Sequence, residues 1–269
     1  MILGLGYSGN RIAAEARSAG WNVIGVKRTA SSAAIAMDDP DLPRLLASAS
    51  LIVSSAPPEP SSGADPVLLS FGEVLASTDA RLFYLSSTGV YGDTGGAWVD
   101  EGSPVLAASG HGRRLARTTA DAAWRAIGAT ILRLPGIYGP GRSVLDQVRS
   151  GTARRIDRPG HRFNRIHVSD IAGAAIALMQ SGVSGVFNIV DETPAEPRHV
   201  TEYACQLLGA PPPPLSTLDE AALSPMARSF WSERRLVAGR KLGRVTGYRL
   251  RHPDYKSGLQ AILAEEGGR

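Results

Sequence analysis

The feature that most constrains the fold is a glycine-rich turn between a short apolar strand and an amphipathic helix. Residues 1–3 are apolar, and residues 4–9 read Gly-Leu-Gly-Tyr-Ser-Gly, the spacing Gly-x-Gly-x-x-Gly. In this spacing the first glycine allows a tight turn, the second lets a pyrophosphate approach the backbone, and the third permits close helix–strand packing. The phosphates would face the free N–H groups of the helix N-terminus. The turn therefore predicts a dinucleotide site at the carboxyl end of the first strand.

The rest of the first 190 residues alternates short apolar runs with amphipathic helices. Strands are expected at residues 1–3, 23–26, 51–54, 82–85 and 130–132, with a further short one before Asp38. Asp65 and Pro66 begin one helix, as an N-cap carboxylate and a proline at the first helical position. Helical periodicity is clearest at residues 67–75, 171–179 and 200–208. This alternation predicts an α/β fold, a Rossmann-type doubly wound parallel sheet covered on both faces.

The alternation of apolar strands and amphipathic helices ends at about residue 190. A run of four prolines follows at residues 211–214. Proline lacks a backbone donor and disfavours helix in the residue before it. We expect a Rossmann core over residues 1–191, with residues 142–163 contributing to a cleft. A small substrate lobe is expected over residues 192–269, packed on the strand ends.

Composition excludes several classes of protein. The chain is 43% hydrophobic with a net charge of +4, so disorder is excluded as its dominant state. Its basic residues are spread out and do not alternate with aromatics, which argues against a nucleic-acid partner. A single cysteine, Cys205, excludes an intramolecular disulfide and is expected in the core. No membrane span or export signal is apparent, so we expect a cytoplasmic monomer or homodimer with no membrane partner.

The end of the second strand bears on the choice of dinucleotide. An acidic residue there would bind the ribose 2′-hydroxyl of NAD, and this strand has none. Lys27 and Arg28 instead offer cations where the 2′-phosphate of NADP would lie. The alternative is that both are solvated residues at a strand end. We therefore expect NADP as the cofactor, with NAD as the alternative.

Five ordered motifs resemble the extended short-chain dehydrogenase/reductases, the NAD(P)-dependent epimerase/dehydratase family. They are Ser54–Pro57, Leu85–Gly92 (LSSTGVYG), Arg133–Gly141 (RLPGIYGPG), Arg165–Asp170 (RIHVSD) and Asn188–Pro194. The resemblance spans nearly the whole chain and implies a nicotinamide cofactor and a small polar substrate. The cofactor contacts implied by the resemblance and the glycine turn are Gly4, Gly6, Tyr7, Ser8, Gly9, Lys27, Arg28, Ser55, Ala56, Pro57, Ser86, Pro135, Gly136 and Ile137.

The family's chemistry uses a Ser or Thr hydroxyl, a Tyr, and a Lys four residues after the Tyr. The tyrosine, as a phenolate, exchanges a proton with the substrate oxygen while hydride moves to or from the nicotinamide. Ser87, four residues before Tyr91, matches the hydroxyl member. Tyr91 is on the loop that faces substrate in the family, and its alternative is a ring packed under that loop.

The window that should hold the Tyr and Lys contains neither residue. Aligned without gaps, His111 takes the Tyr place and Leu115 the Lys place. A shift of one residue puts Gly110 and Arg114 there instead. An arginine cannot replace lysine as a tunable acid, although it could hold a ribose by its charge. His111 could be an acid or base near neutral pH, or a surface residue at a helix start.

Candidate substrate contacts are Thr88, Arg142 and Arg165, with Arg228 and Arg234 as further candidates for an anionic group. Each arginine could equally be a solvated surface charge. His161 and His167 do not have a metal-ligand spacing, so no metal is expected. His167 is better explained as a helix-start residue that forms a cap with Asp170.

Two functions are open from the sequence. One is an NADP-dependent oxidoreductase or epimerase/dehydratase-like enzyme without the Tyr-x-x-x-Lys pair, acting on a small polar or anionic substrate. The other is a non-catalytic NAD(P)-binding sensor or scaffold. Retention of Ser87 and Tyr91 favours the enzyme, and the missing pair favours the binding protein.

Overall fold

The alternating strands and helices form one parallel sheet with helices on both faces. The structure, a computed structural model, describes residues 1–59, 62–105 and 113–267. Its strands are β1 Ile2–Leu3, β2 Gly25–Lys27, β3 Ile35–Ala36, β4 Leu51–Ser54, β5 Arg81–Ser87, β6 Trp98–Val99, β7 Thr130–Leu134, β8 Gly136–Tyr138, β9 Arg155–Ile156, β10 Arg165–His167, β11 Val186–Asn188, β12 Leu215–Ser216 and β13 Leu236–Val237. Its helices are α1 Tyr7–Ser18, α2 Leu42–Ala47, α3 Pro66–Ser77, α4 Arg113–Ala126, α5 Val144–Arg149, α6 Val168–Ser181, α7 Pro197–Leu208, α8 Pro225–Trp231, α9 Arg240–Thr246 and α10 Tyr255–Gly267, with a 3₁₀ turn at Thr88–Tyr91.

The main sheet has the strand order β11-β7-β5-β4-β1-β2-β3, and every pair in it is parallel. The predicted fold class is therefore confirmed. All of the predicted strands are present, and the short strand expected before Asp38 is β3. Because parallel strands all end at one edge, the turns after β1, β2, β4, β5 and β7 meet there.

Two hydrophobic cores cover the two faces of the sheet. On one face α1 and α6 pack together, with Ile12 and Ile171 fully buried between them and the strands. On the other face α2, α3 and α4 contribute Leu42, Phe71 and Trp124. This two-layer burial explains why the strands are apolar on both sides.

The start of α3 is formed as the sequence predicts. Asp65 Oδ1 accepts hydrogen bonds from the N–H groups of Val67 at 2.9 Å and Leu68 at 3.1 Å, and Pro66 occupies the first turn. Asp65 Oδ2 also accepts from Trp124 Nε1 at 2.9 Å. One buried carboxylate therefore caps α3 and attaches it to α4.

A buried aspartate fastens the C-terminal segment to the core. Asp170 Oδ1 accepts from the Tyr248 hydroxyl at 3.0 Å and the Arg251 N–H at 2.6 Å, and Oδ2 accepts from the His252 N–H at 3.0 Å. His167 caps α6 as predicted, with Nδ1 accepting from the Ser169 N–H at 3.3 Å. Asp170 does not complete that cap, because its oxygens are turned to the chain beyond α9.

The segment after residue 191 pairs and packs with elements from the first part of the chain. Strand β13 pairs with β6, and β12 pairs with β9. Leu242 on α9 belongs to the same hydrophobic cluster as α1 and α6. Cys205 is buried on α7, as expected. Across the described ranges, no helix has the length and apolar character needed to cross a membrane.

Candidate functional site

The glycine turn lies at the carboxyl edge of the sheet, between β1 and α1. Gly4 has φ of +96°, and a Cβ there would lie 3.0 Å from Ala56 N and 3.1 Å from Ser55 Oγ. A Cβ on Gly9 would collide with the carbonyl oxygen of Gly4. These two glycines are therefore required by the protein's own backbone packing.

Gly6 has no such explanation within the chain. It is the N-cap of α1 with φ of −85°, which any residue can adopt, and apart from adjoining residues no heavy atom of the described ranges lies within 4 Å of where its Cβ would be. It also leaves α1 without a side-chain cap. The first N–H groups of a helix have no partner within the helix and attract anions. Open space beside uncapped N–H groups fits a diphosphate approaching from outside the chain.

Predicted cofactor contacts from three separate turns meet around this space. Ser55, directly after β4, donates its hydroxyl hydrogen bond to the carbonyl oxygen of Gly4. Lys27 ends β2, the neighbour of β1, and is half-buried, while Arg28 after it is exposed. No carboxylate of the described residues forms a salt bridge with either cation. The edge thus offers two unpaired cations about one strand away from the glycine turn.

The segment after β7 closes the other side of the turn. The Tyr7 hydroxyl donates to the carbonyl oxygen of Pro140 at 3.1 Å. The Arg142 guanidinium, a predicted substrate contact, is exposed and lies 5.6 Å from the centre of the Tyr7 ring. Residues 135–137, also predicted as cofactor contacts, lead from β7 through β8 into this segment.

A buried polar network lies beneath the turn that follows β5. Ser86 donates to Asp121 Oδ2 at 2.6 Å, and Arg133 binds both oxygens of Asp121 at 3.0 and 2.9 Å. Arg133 Nη1 also donates to the Tyr91 hydroxyl at 3.0 Å, and that hydroxyl donates to Asn188 Oδ1 at 2.8 Å. All five side chains are buried. We call these residues the Arg133 network.

Tyr91 could either face the substrate or pack beneath its loop, and the structure shows it packed beneath the loop. Its ring is 1% exposed, and burial raises the pKa of the phenol although the Arg133 charge opposes the rise. A tyrosine with a raised pKa stays protonated at neutral pH. Its role as a proton carrier stays a prediction. Sequence reasoning did not find Asp121, whose only signal is its place on the inward face of α4.

Ser87 is the half-buried hydroxyl at the end of β5. Strand alternation turns Ser87 away from the side of Ser86, and its Oγ accepts from the Gly89 N–H at 3.1 Å. Thr88, a predicted substrate contact, is buried with its hydroxyl 3.5 Å from the carbonyl oxygen of Leu134. Of these neighbours, Ser87 is therefore the one placed to reach a ligand above the strand.

The first turn of α4 does not rebuild the missing pair. His111 and Gly110 lie outside the described residues. Leu115 is 44% exposed, and Arg114 Nη1 forms a salt bridge with Glu233 at 2.9 Å. Arg117, one turn further along α4, is half-buried, and its charge acts on the Tyr84 hydroxyl. Arg117 lies about one helical turn before Asp121, so helical periodicity alone places the two side chains on the same face of α4.

The remaining arginines differ in their surroundings. Arg165 is turned into the protein, where Nη1 donates to the carbonyl oxygens of Phe163 at 2.9 Å and Ala195 at 3.1 Å. Beside it, burial raises the pKa of Asp191 to about 7 although the Arg165 charge opposes the rise. Arg228 is exposed and paired with Asp219 at 2.8 Å.

One group of side chains has metal-ligand chemistry but is otherwise engaged. Atoms of His167, Asp170 and His252 lie within 4.8 Å of one another. His167 Nδ1 accepts a hydrogen bond, so the neutral ring carries its proton on Nε2 and has no lone pair there for a metal. Burial, with a smaller effect from His252, lowers the pKa of His167 to about 3. We interpret this group as packing at the start of α6.

The sequence and the structure were compared with those of known proteins. No family model matches the chain. Protein YeeZ of Escherichia coli (strain K12) is 28% identical over 280 aligned residues, which cover 94% of this chain and 96% of YeeZ. A conserved protein of unknown function from Silicibacter pomeroyi DSS has a solved structure with 36% identity, a TM-score of 0.85 and coverage of 98% and 97%.

Two more distant solved structures share the fold and carry cofactors. The human epimerase family protein SDR39U1 (isoform 2) with NADPH is 19% identical, with a TM-score of 0.75 and coverage of 98% of this chain and 99% of that one. The dTDP-glucose 4,6-dehydratase of Bacillus anthracis with NAD is 16% identical, with a TM-score of 0.70 and coverage of 100% and 96%. The chain therefore belongs to one family with the Silicibacter pomeroyi protein, and its fold is the one seen in NAD-dependent epimerase/dehydratase structures, the extended short-chain dehydrogenase/reductases.

Proposed function

We propose that the protein is an NADP-dependent oxidoreductase or epimerase/dehydratase-like enzyme that acts on a small polar substrate at the carboxyl edge of the sheet. The observation that carries this proposal is Gly6. The chain itself gives no reason for a glycine there, and the open space adjoins the uncapped N-terminus of α1. A diphosphate bound at this point would receive N–H hydrogen bonds and the favourable end of the helix dipole.

Several residues of the chain would hold the cofactor around that point. Residues 55–57 would line the side of the adenosine, and Lys27 and Arg28 would bind the 2′-phosphate of NADP. The unpaired state of these two cations supports NADP over NAD. The more distant structures carry NADPH in one case and NAD in the other, so the fold accommodates both.

The nicotinamide, when bound, supplies or accepts the hydride. Ser87 would orient the reacting oxygen of the substrate, since its hydroxyl is half-buried at the end of β5. Residues 135–142 would form the wall opposite, and Arg142 would contact the substrate at the rim. Tyr91 and His111 stay the predicted proton carriers.

A second candidate is a non-catalytic NAD(P)-binding sensor or scaffold. The observation in its favour is the Arg133 network, which engages the Tyr91 hydroxyl on both sides. The sequence of helix α4 also contains no Tyr and no Lys. In this candidate the glycine turn would bind the cofactor as above, and no hydride would be transferred.

The test compares valine at two glycines that both face open space. Gly6→Val should weaken binding of NADP⁺ and NADPH by about 100-fold or more in calorimetry, because the side chain fills the approach to the helix N-terminus. Gly72→Val on α3 also meets no neighbouring atom within 4 Å and is the matched control. It should bind NADP⁺ like the wild type.

Equal NADP⁺ affinity in the wild type and Gly6→Val would contradict the proposed site. NADPH oxidation against a panel of small carbonyl compounds then separates the two candidates. Turnover that falls in Ser87→Ala supports the enzyme. Tight NADP binding with no turnover across the panel supports the sensor or scaffold.

A further inference from the structure

His161 has an unusual environment that the proposed cofactor site does not explain. Its side chain is 1% exposed, and neither ring nitrogen has a hydrogen-bond partner among the described residues. The ring packs against Phe163 and Trp231, with ring centres 4.8 and 5.2 Å away. Buried polar atoms in folded proteins are nearly always hydrogen-bonded. An imidazole without a partner therefore indicates a group that the chain alone does not supply.

His161 lies on the side of the molecule where Ser87 ends β5. The segment after α8 connects the two: the Arg234 N–H donates to Asp93 Oδ1 at 2.8 Å, and Arg235 Nη1 donates to the carbonyl oxygen of Gly92 at 2.7 Å. Asp93 and Gly92 directly follow the 3₁₀ turn that begins after Ser87. Trp231, which packs on His161, ends α8 at the start of this same segment.

The charges that face His161 are mainly positive. They come from Arg158 on its own segment, from Arg234 after α8, and from the carboxylate of Asp93. Burial and then the two arginines lower the pKa of His161 to about 4, and the Asp93 charge acts in the opposite direction. Neither arginine forms a salt bridge with any carboxylate in the described ranges. The Arg158 guanidinium also donates to the carbonyl oxygen of Trp231 at 2.5 Å, and the Arg234 charge acts on Asp93 as well. A neutral imidazole thus lies near two cations and one carboxylate, which leaves an excess of positive charge beside the ring.

We propose that His161, Arg158 and Arg234 form a subsite that binds an oxyanion group of the substrate, a carboxylate or a phosphate. Two arginine charges would attract the group, and the imidazole would donate an N–H hydrogen bond to one of its oxygens. The inference rests on the proposed function only in taking the ligand to be the substrate. An ordered water could satisfy the ring nitrogens, but it would not balance the positive charge that Arg158 and Arg234 hold in excess of Asp93.

The subsite makes His161 a reporter of anion binding. A bound anion adds a negative charge and a hydrogen-bond acceptor beside the ring, and both favour its protonated form. The pKa of His161 should therefore rise from about 4 toward its ordinary value when the subsite is filled. By linkage, the anion should bind more tightly as the pH falls.

The experiment follows the histidine ring nitrogens by NMR in the NADP-saturated protein, so that the cofactor already occupies the glycine turn. Inorganic phosphate and acetate are titrated separately between pH 5 and 8. We expect at least one of them to shift the His161 signals saturably, with about tenfold tighter binding at pH 5 than at pH 8. The anion that binds more tightly identifies the substrate group as phosphate or carboxylate.

Variants separate the subsite from a general charge effect. Arg158→Gln and Arg234→Gln should each weaken the bound anion by about tenfold or more, because each loses a charge-assisted hydrogen bond. Arg228→Gln removes the same charge from an exposed arginine that already pairs with Asp219, and it should leave the affinity unchanged. His161→Phe keeps the ring packing and should remove the pH dependence of acetate binding in the part of the range where acetate itself stays ionised.

The proposal is overturned if neither anion moves the His161 signals, the result expected for a buried water only. It is also overturned if the affinity is the same in Arg158→Gln, Arg234→Gln and the wild type. Because the readout needs no turnover, it is independent of the proposed function. Saturable anion binding without NADP binding would contradict the cofactor site alone.

Discussion

Two polar regions at the same edge of the sheet differ in whether their polar groups are bound by other groups of the protein. Around the glycine turn, polar groups face open space: the first turn of α1 has no side-chain cap, and Lys27 and Arg28 form no salt bridge with a carboxylate of the described residues. In the Arg133 network, the guanidinium binds both the Asp121 carboxylate and the Tyr91 hydroxyl, which in turn donates to Asn188. Both regions match motifs of one family, yet only the first has groups free to receive a ligand.

This difference distinguishes a region that can bind a ligand, the glycine turn, from a region that stabilises the fold, the Arg133 network. Polar groups that face open space are bound by water, which a ligand can replace, so a cluster of them that no protein group engages is suited to binding one. Groups that satisfy one another in the interior mainly specify and hold the structure. On this basis Ser87, at the border of the two regions, belongs with the glycine turn, and Ser86, one residue earlier, belongs with the network.

The largest expected effect tests whether the network is a support. Arg133→Met should lower the free energy of unfolding by about 3–5 kcal/mol, because it leaves the Asp121 carboxylate buried without its partner. Urea denaturation measures this change. Arg114→Met is the control, since its salt bridge with Glu233 is partly exposed and should be worth about 1 kcal/mol or less. A loss below about 1 kcal/mol for Arg133→Met would remove the basis for calling the network structural.

The next effect concerns pH and the two buried histidines. The pKa of His161 is about 4 and that of His167 about 3 in the folded chain, both below the ordinary value. As the pH falls below about 6.5, the unfolded chain takes up these protons first, so stability should fall between pH 6.5 and 4. His161→Phe should remove about 2–3 kcal/mol of that fall in anion-free buffer. Parallel pH profiles of the variant and the wild type would contradict the expectation.

Cofactor choice should respond to a charge reversal at the open region. Arg28→Asp should weaken NADP⁺ by about 30-fold and make NAD⁺ the better ligand, since the carboxylate repels the 2′-phosphate and accepts from the ribose hydroxyl. Arg125→Asp carries the same charge change on an exposed position of α4 and should alter neither affinity. Calorimetry with both dinucleotides gives the ratio. An unchanged ratio in Arg28→Asp would refute the role of that residue.

The smallest expected effect is at Tyr91. Tyr91→Phe should cost about 1 kcal/mol of stability, because one hydroxyl is lost from a network that is otherwise retained. NADP⁺ affinity should not change. If turnover is found and this variant loses about 100-fold or more in kcat, Tyr91 carries the proton and the network is part of the catalytic site.

Periodicity was enough to predict most of the main sheet. The strands at 51–54 and 82–85 were placed to within two residues, because a buried parallel strand is a short apolar run between turn residues. The second strand begins at Gly25, two residues later than predicted, since polar Asn22 and the residues after it lead into the strand from the surface. Periodicity does not predict helix α10, because its buried apolar side chains are few: Tyr255, Leu259 and Ile262.

The site was less accessible to sequence reasoning than the fold. The glycine turn and residues 27–28 are local signals that follow two adjacent strands, β1 and β2, and their part in binding a cofactor stays a prediction. Arg165 was predicted to face a substrate, but its guanidinium binds two backbone carbonyls inside the protein. Such partners are decided by tertiary packing between distant segments, which no spacing along the chain records. The same is true of His161, where the informative observation is the lack of a partner.

The attachment of Asp170 has a consequence for how the chain reaches its native state. Its three hydrogen bonds join residues 78 to 82 positions apart. Contacts of such separation close late, because the entropy of a long loop must be lost first. A polypeptide leaving the ribosome could assemble the sheet through β11 while Asp170 still awaits the residues that follow α9. Until they arrive, the start of α6 carries a buried carboxylate without partners, so this nascent intermediate should be the species most exposed to proteolysis and to chaperones.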